Sequence, residues 1–271
     1  MPSTMRNFLI AALAAGLVQA APAPQASTVS SAASSTSTSV SPAQAAADLK
    51  KLSQEIAQQV TAVDRIKHLL GRDDATAPPL SEEDIQKRVV FDFNKAAPSN
   101  GSLGGRGPLT ANRANFPILT GLGISTAVAF LEPCGFNTPH VHPRATEFLT
   151  VTQGSLQTGF VLENGFTEQV NGTLGLYEGT VFPQGSIHFQ QNPTCDETVF
   201  VATLNSDDPG ASQIAQNFFA LDDEIIEATL GFPPESIDPR GIDAFRSKIP
   251  ANIARGVESC LKTCGIEKYK H

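Results

Sequence analysis

No part of this chain carries a dense run of lysine and arginine. Over 271 residues, 19 basic side chains stand against 27 acidic ones, a formal net charge of −8. That balance lacks the electrostatic footprint of a nucleic-acid-binding protein. Beyond the first twenty residues no apolar run reaches the length of a membrane span. Four glycines fall between Gly101 and Gly107, but no Gly-Lys-Ser/Thr follows them, which excludes a phosphate loop. Histidine is scarce, five in the whole chain. Three of the five fall into two short boxes about forty residues apart, and that clustering marks a metal site.

The first box is His140-Val141-His142-Pro143-Arg144-Ala145-Thr146-Glu147, and the second is Pro183-Gln184-Gly185-Ser186-Ile187-His188-Phe189-Gln190-Gln191-Asn192. On an extended strand His140 and His142, two apart, point to one face. Pro143 suits a strand end. Glu147 has the wrong parity for the same straight strand. A turn over Pro143–Thr146 lets it open a new strand and point back at the same ion. His188 comes from a separate strand, opened by the Pro183/Gly185 turn. His140, His142, Glu147 and His188 give three nitrogens and one oxygen, with no thiolate. That set fits Mn or Fe, with Ni, Cu or Zn as further options, and leaves two positions open on a six-coordinate ion. Gln190 and Asn192 read as strand-orienting contacts. Arg144 reads as a corner residue paired to an acid rather than a steering group. His68 and His271 read as solvent-exposed.

Both boxes, and the segment Leu204-Asn205-Ser206-Asp207-Asp208-Pro209-Gly210, resemble the motifs of germin-like cupins, in wording that is similar to the spherulin-type branch of fungi and slime moulds. The resemblance covers about residues 85–265. It implies a mainly β fold: a single cupin jelly-roll barrel with an N-terminal helix and a C-terminal helical extension. It also implies two substrate-side asparagines, one matched by Asn137 and the other falling on Thr120, where a hydroxyl replaces a carboxamide. Asn137 has a bland alternative, an Asx turn. Association into dimers or hexamers through the C-terminal helices is implied by the resemblance as well. Two positions depart from the family. Cys134 stands where a glycine opens the first box, and Tyr177 stands where a glycine precedes the second.

The N-terminus has the form of a secretory signal over residues 1–20, with Arg6, an apolar run from Phe8 to Val18 and a small-residue site at Ala20. Four cysteines suit an oxidising compartment and permit three pairings. Since both boxes must converge on one ion, Cys134 just before the first and Cys195 just after the second suggest one bridge, which leaves Cys260 with Cys264. The sequons at Asn100 and Asn171 are candidate N-glycan sites.

Residues 21–42 are a Ser/Thr/Ala/Pro-rich disordered segment. Residues 43–84 hold the N-terminal helix and its linker. Leu49, Ile56, Val63 and Leu70 recur every seven, with Leu52 and Ile66 between them, and Gln59 interrupts the second row. Such a helix packs on the barrel or on a partner chain. The barrel spans 85–210. Strands are expected at Val89–Phe93, then at 123–132, 147–153, 155–163, 166–171, 174–182, 186–191 and 197–204, with Gly101–Gly107 a flexible loop. The C-terminal helices fill 211–271, from Ile214 to Leu230 and from Asp243 to about Leu261. The boxes occur once each, which argues against two-cupin decarboxylases and dioxygenases.

These features point to a secreted, extracellular or wall-associated monocupin with Mn-dependent oxidoreductase chemistry of the superoxide dismutase or oxalate oxidase kind. Its partner would be a small molecule or a dioxygen species. The rivals are a non-catalytic wall or stress component and a small-molecule or glycan-binding cupin, because one fold hosts many chemistries.

Overall fold

The computed structural model describes residues 41–97, 104–231, 248–250 and 252–267. The signal-like segment, the Ser/Thr-rich stretch to residue 40, Asn100, His271 and the start of the second C-terminal helix lie outside them. No helix among the described residues is long and apolar enough to cross a membrane.

Among the described residues, eleven strands form two antiparallel sheets. They are β1 (Gly105–Ala111), β2 (Ser125–Leu131), β3 (Gly135–Val141), β4 (Glu147–Gln153), β5 (Leu156–Val161), β6 (Val170–Leu174), β7 (Gly179–Phe182), β8 (Ile187–Gln191), β9 (Thr198–Leu204), β10 (Ser212–Gln213) and β11 (Ile253–Arg255). One sheet runs β1-β2-β9-β4-β7 and the other β10-β3-β8-β5-β6, with β11 also paired to β3. Inward positions alternate along each strand. Ala127, Ala129 and Leu131 from β2, Leu149 and Val151 from β4, and Phe200 and Ala202 from β9 share one core with Leu156, Phe182 and Ile253. The outer edge of β3 is closed in two halves. Ser212 and Gln213 pair with Val141 and His140, while Ile253–Arg255 pair with Asn137–Gly135.

The heptad row at the N-terminus is cut in two. Helix α1 (Pro42–Ala57) ends at Gln58, and α2 (Ala62–Leu69) starts afresh on an N-cap at Thr61, whose hydroxyl accepts from Asp64 N–H. Ile56 and Leu69 are buried, whereas Val63 is exposed. These helices and α3 (Glu82–Val89) pack against the short 3-10 turn Pro117–Leu119, on the chain's own barrel.

Four expected elements are different. Val89–Phe93 is not a strand; Val89 closes α3, which Ser81 caps and whose acidic first turn and basic last turn complement the helix dipole. The Gly101–Gly107 stretch, where described, is not a flexible loop; Gly105 and Gly107 are in β1. A Cβ on Gly104 would lie 2.1 Å from Ala254 O, and one on Gly105 would lie 2.2 Å from Phe130 O. Those glycines let backbones meet. C-terminally, the first expected helix is two, α4 (Ile214–Phe218) and α5 (Asp223–Leu230). Within the second expected helix the described residues hold strand β11 and then α6 (Glu258–Thr263).

The disulfides are Cys134–Cys260 and Cys195–Cys264, not Cys134–Cys195 and Cys260–Cys264. The physical reason is parallel projection. Side chains four apart leave a helix on one face, so Cys260 and Cys264 each meet a different barrel turn instead of each other. Their closed loops are long, with separations of 126 and 69 residues, the range in which a cross-link is worth about 4–5 kcal/mol on the chain-entropy account.

His68 is only partly exposed: its ring lies 2.6 Å from Asp73 and 3.4 Å from Glu55, joining α2 to α1. The hydrogen bond to Asp73 raises its pKa, against the opposing effect of burial. A raised folded-state pKa gives stability that is full below the unfolded value and lost as pH rises through the folded value. His68→Gln should therefore destabilise the protein at pH 6, by up to about 1 kcal/mol, and much less at pH 9, as read by urea unfolding at both.

Cys134 and Tyr177 are the non-glycine residues with positive φ among the described residues, at 57° and 63°. They are the two positions where the resembled motifs carry glycine. Tyr177 is held there by its N–H bond to Val151 O and by the Val151 N–H bond to Glu178 O. This backbone costs a non-glycine residue roughly 1–2 kcal/mol, and the side chain is 77% exposed. Tyr177→Gly should raise the thermal midpoint by about 2–4 °C per kcal/mol recovered, while Tyr177→Ala leaves it unchanged.

Candidate metal centre

The four predicted ligands converge. His140 lies on β3, His142 just beyond its end, His188 on β8 and Glu147 at the first position of β4. The turn through Pro143–Thr146 reverses the chain, so Glu147 takes the inward parity it shares with Leu149 and Val151. One ligand atom from each of the four lies within 4.8 Å of the others. All four side chains are buried or nearly so.

Each imidazole is oriented by its far nitrogen. Nδ1–H of His140 donates to Thr138 O at 2.8 Å, that of His142 to Gly210 O at 2.6 Å and that of His188 to Ser186 O at 3.0 Å. With every Nδ1 committed to a carbonyl, every Nε2 is aimed inward at the centre. Such partners fix the tautomer of metal-binding histidines. The His188 ring is further clamped by Phe182, stacked at 4.3 Å with 12° between planes.

Electrostatics agree with a cation in the centre. Burial, followed by the charge of His188, pushes the His140 pKa down to about 3, so the ring is neutral and its lone pair free. Burial works to raise Glu147, yet the hydrogen bond with His142 and the close approach of the His188 ring, 3.5 Å away, outweigh it and hold the carboxyl at about 2. Burial lowers His142, but the carboxylate of Glu147, 2.8 Å from its Nε2, wins and raises it. One carboxylate oxygen thus has a proton to lean on. Glu147 Oε1 and His188 Nε2 have no hydrogen-bond partner among the described residues. Buried polar atoms are rarely left so, and a divalent cation is the group these atoms fit.

The cluster opens onto a cavity of about 210 Å³. Asn137 lines it, brought to the side of His140 by a bulge. In the β3–β8 ladder Asn137 faces Gln190 and His140 faces His188, so three steps on β3 match two on β8. The extra residue falls at Thr138–Pro139, where proline has no ladder donor. Without it, residues three apart would face opposite ways. Asn137 Nδ2 donates to Gln190 Oε1 at 2.5 Å, and its own Oδ1 has no partner among the described residues. Gln190 is therefore the orienting contact expected.

Thr120 is corrected. It caps the Pro117–Leu119 turn that faces α1, α2 and α3, and it does not line the cavity. Residues missed by sequence reasoning line it instead: Asn112 at the end of β1, Gln213 on β10 and Asn252 beside β11. Asn112 Oδ1 is committed to Ala114 N–H, an Asx turn, and Asn252 Oδ1 to Gln213 Nε2. The Asn-Arg-Ala-Asn wording of residues 112–115 carries the turn signal; nothing local points Gln213 or Asn252 to the site. Among the described lining residues no lysine or arginine appears.

Arg144 is a corner residue, as expected. Its Nε donates to Asp208 O and its Nη2 to Asp208 Oδ1, at 2.8 and 3.0 Å, while Arg113 holds the other oxygen of Asp208 at 3.0 Å. The clamped segment runs on to Gly210, whose carbonyl anchors His142. Asn171 is exposed on edge strand β6, its Oδ1 accepting from Gln169 Nε2.

Two antiparallel sheets around an inward cluster of three histidines and one carboxylate define the class, and the chain belongs to the cupin family, whose model matches residues 91–238. Its relatives within that family are germin-like, of the spherulin branch. Spherulin-1A of Physarum polycephalum is 37% identical over 181 residues, 66% of this chain and 71% of that protein. Germin-like protein 4-1 of Oryza sativa subsp. japonica is 41% identical over 152 residues, 53% of this chain and 57% of that protein. Among solved structures, an oxalate oxidase superposes with TM-score 0.54 at 26% identity, over 64% of this chain and 86% of that one. An oxalate oxidase in complex with the substrate analogue glycolate gives 0.54 at 25%, over 65% and 91%.

Asp208→Asn should loosen the loop that supplies Gly210 O to His142. The expected result is a 10–100-fold loss of metal affinity, the size typical for such supporting contacts, by competition with a chromophoric chelator. Far-ultraviolet dichroism should be unchanged.

Proposed function

We propose that this protein is a secreted, Mn-dependent oxidoreductase that acts on a dioxygen species or a small carboxylate. The observation that carries the proposal is the convergence of three inward-aimed Nε2 atoms and an unpartnered carboxylate oxygen on one small cavity. His140, His142, Glu147 and His188 would hold the ion. Bound there, Mn supplies one-electron redox capacity and Lewis acidity at positions the four side chains leave open.

The chain's own residues do the rest. Glu147 keeps its charge in the interior and balances the ion. Asn137, fixed by Gln190, presents an unpartnered carbonyl oxygen that accepts a hydrogen bond from a protonated oxygen of substrate or product. Asn112 has its amide NH2 left for a carboxylate. Since Thr120 stands away from the cavity, its hydroxyl does not weigh against a carboxylate substrate. The cavity volume of about 210 Å³ is below the roughly 300–1,000 Å³ of drug-sized pockets and suits a ligand of a few heavy atoms. The likeness to oxalate oxidase structures supports the same class of chemistry.

Elemental analysis of the secreted protein, dialysed without chelator, should find about one Mn per chain, and superoxide and oxalate assays should detect turnover. Glu147→Gln should lose the metal and the activity with its fold intact. For the native protein, free Mn at a hundredfold its Kd should add about 2.7 kcal/mol of stability over the chelated form. A folded protein that retains no redox-active metal would refute the proposal.

A further inference from the structure

The cysteines lie close together where α6 meets the barrel. Cys134 and Cys260 are buried, Cys264 is half-buried and Cys195 is exposed. Although they belong to different disulfides, the sulfurs of Cys134 and Cys264 are 3.6 Å apart. Cys195 sits in a rigid turn. Fully buried Asn192 donates to the carbonyls of Leu131, Glu132 and Asp196 and accepts from Thr194 N–H. The turn therefore keeps Cys195 in place whatever its sulfur is bonded to.

From this arrangement we propose that Cys195 is a capture site for a low-molecular-weight monothiol of the glutathione type. The incoming thiolate attacks the sulfur of Cys195, which belongs to an exposed residue. The Cys195–Cys264 bond breaks and the electron pair leaves on Cys264. The Cys264 thiolate then attacks the adjacent Cys134 sulfur, a Cys134–Cys264 bond forms, the Cys134–Cys260 bond breaks, and Cys260 leaves as thiolate. The proton released by the incoming thiol returns to Cys260. Two disulfides break and two form, so no oxidant or reductant is consumed.

Two features make the capture persist. Left free, the Cys264 thiolate would attack Cys195 and expel the adduct; uptake by Cys134 removes it. The thiol that replaces it, Cys260, is 8% exposed, with Asn192 O at 3.8 Å to accept its S–H. The anchoring of α6 also survives, because Cys134 is joined to that helix in both arrangements. This site is separate from the metal centre and does not depend on it.

The test uses the full secreted protein, incubated anaerobically with reduced glutathione, acid-quenched, alkylated and mapped without reduction. Glutathione is expected on Cys195, the alkyl label on Cys260 and a cross-link between Cys134 and Cys264. The same pattern is expected in Glu147→Gln. Absence of an adduct, or an alkyl label on Cys264 with Cys134–Cys260 intact, would overturn the proposal. In Cys195→Ser, the label should be shared between Cys260 and Cys264; a label confined to Cys264 would also overturn it. If that variant fails to fold, the map of the native protein decides.

Discussion

A carboxylate only 2% exposed, that of Glu147, is the constraint around which this fold is arranged. An ionised group taken from water into an interior costs several kcal/mol unless it is paired. Three imidazoles from two strands and a strand end surround it, each held by a backbone carbonyl so that it cannot turn its lone pair away. The carbonyls come from Thr138, Ser186 and Gly210, two of them within two residues of their histidine and the third from a distant loop. That third contact explains the Asp207–Gly210 loop. It is fixed by Arg113 and Arg144 so that one imidazole stays aimed.

Charge and shape support each other here. Glu147 stabilises a protonated His142 in the absence of any other cation, and the same oxygen is available to a divalent ion that displaces the proton. The polar part of the remaining cavity wall, set among apolar side chains such as Phe200 and Leu204, is chiefly the carboxamides of Asn112, Asn137, Gln213 and Asn252. It offers hydrogen bonds in both senses and no fixed positive charge, so any anion that enters is drawn by the ion rather than by the protein.

Much of the centre was legible in the sequence because it rests on local rules. Parity brought His140 and His142 together, a proline turn re-aimed Glu147, and a second turn delivered His188. What was not legible depends on distant partners. The bulge at Thr138–Pro139 puts Asn137 beside His140, and only the register against β8 shows it. The glycines of 104–107 have the composition of a loose loop, yet they are demanded by Ala254 and Phe130 backbones that sequence distance hides. The cysteine pairing failed for a similar reason. The first two cysteines do lie close, as the Cys134 N–H bond to Thr194 O shows, but the helix carrying the other two packs over both turns and claims one from each. The heptad row promised one helix, whereas the Thr61 cap breaks it and leaves Val63 in solvent.

The divided edge of β3 sets an order of events. Its hydrogen bonds to β8 need only the second box, but its outer edge is completed by β10 and then, beside Asn137, by β11 near the end of the chain. During synthesis the histidines and the carboxylate emerge long before Ile253 does. A nascent chain therefore displays its ligand set on a strand with one flank open, and the wall of the cavity is closed by a segment that emerges more than a hundred residues after His140. Maturation of the centre, in this fold, waits on β11.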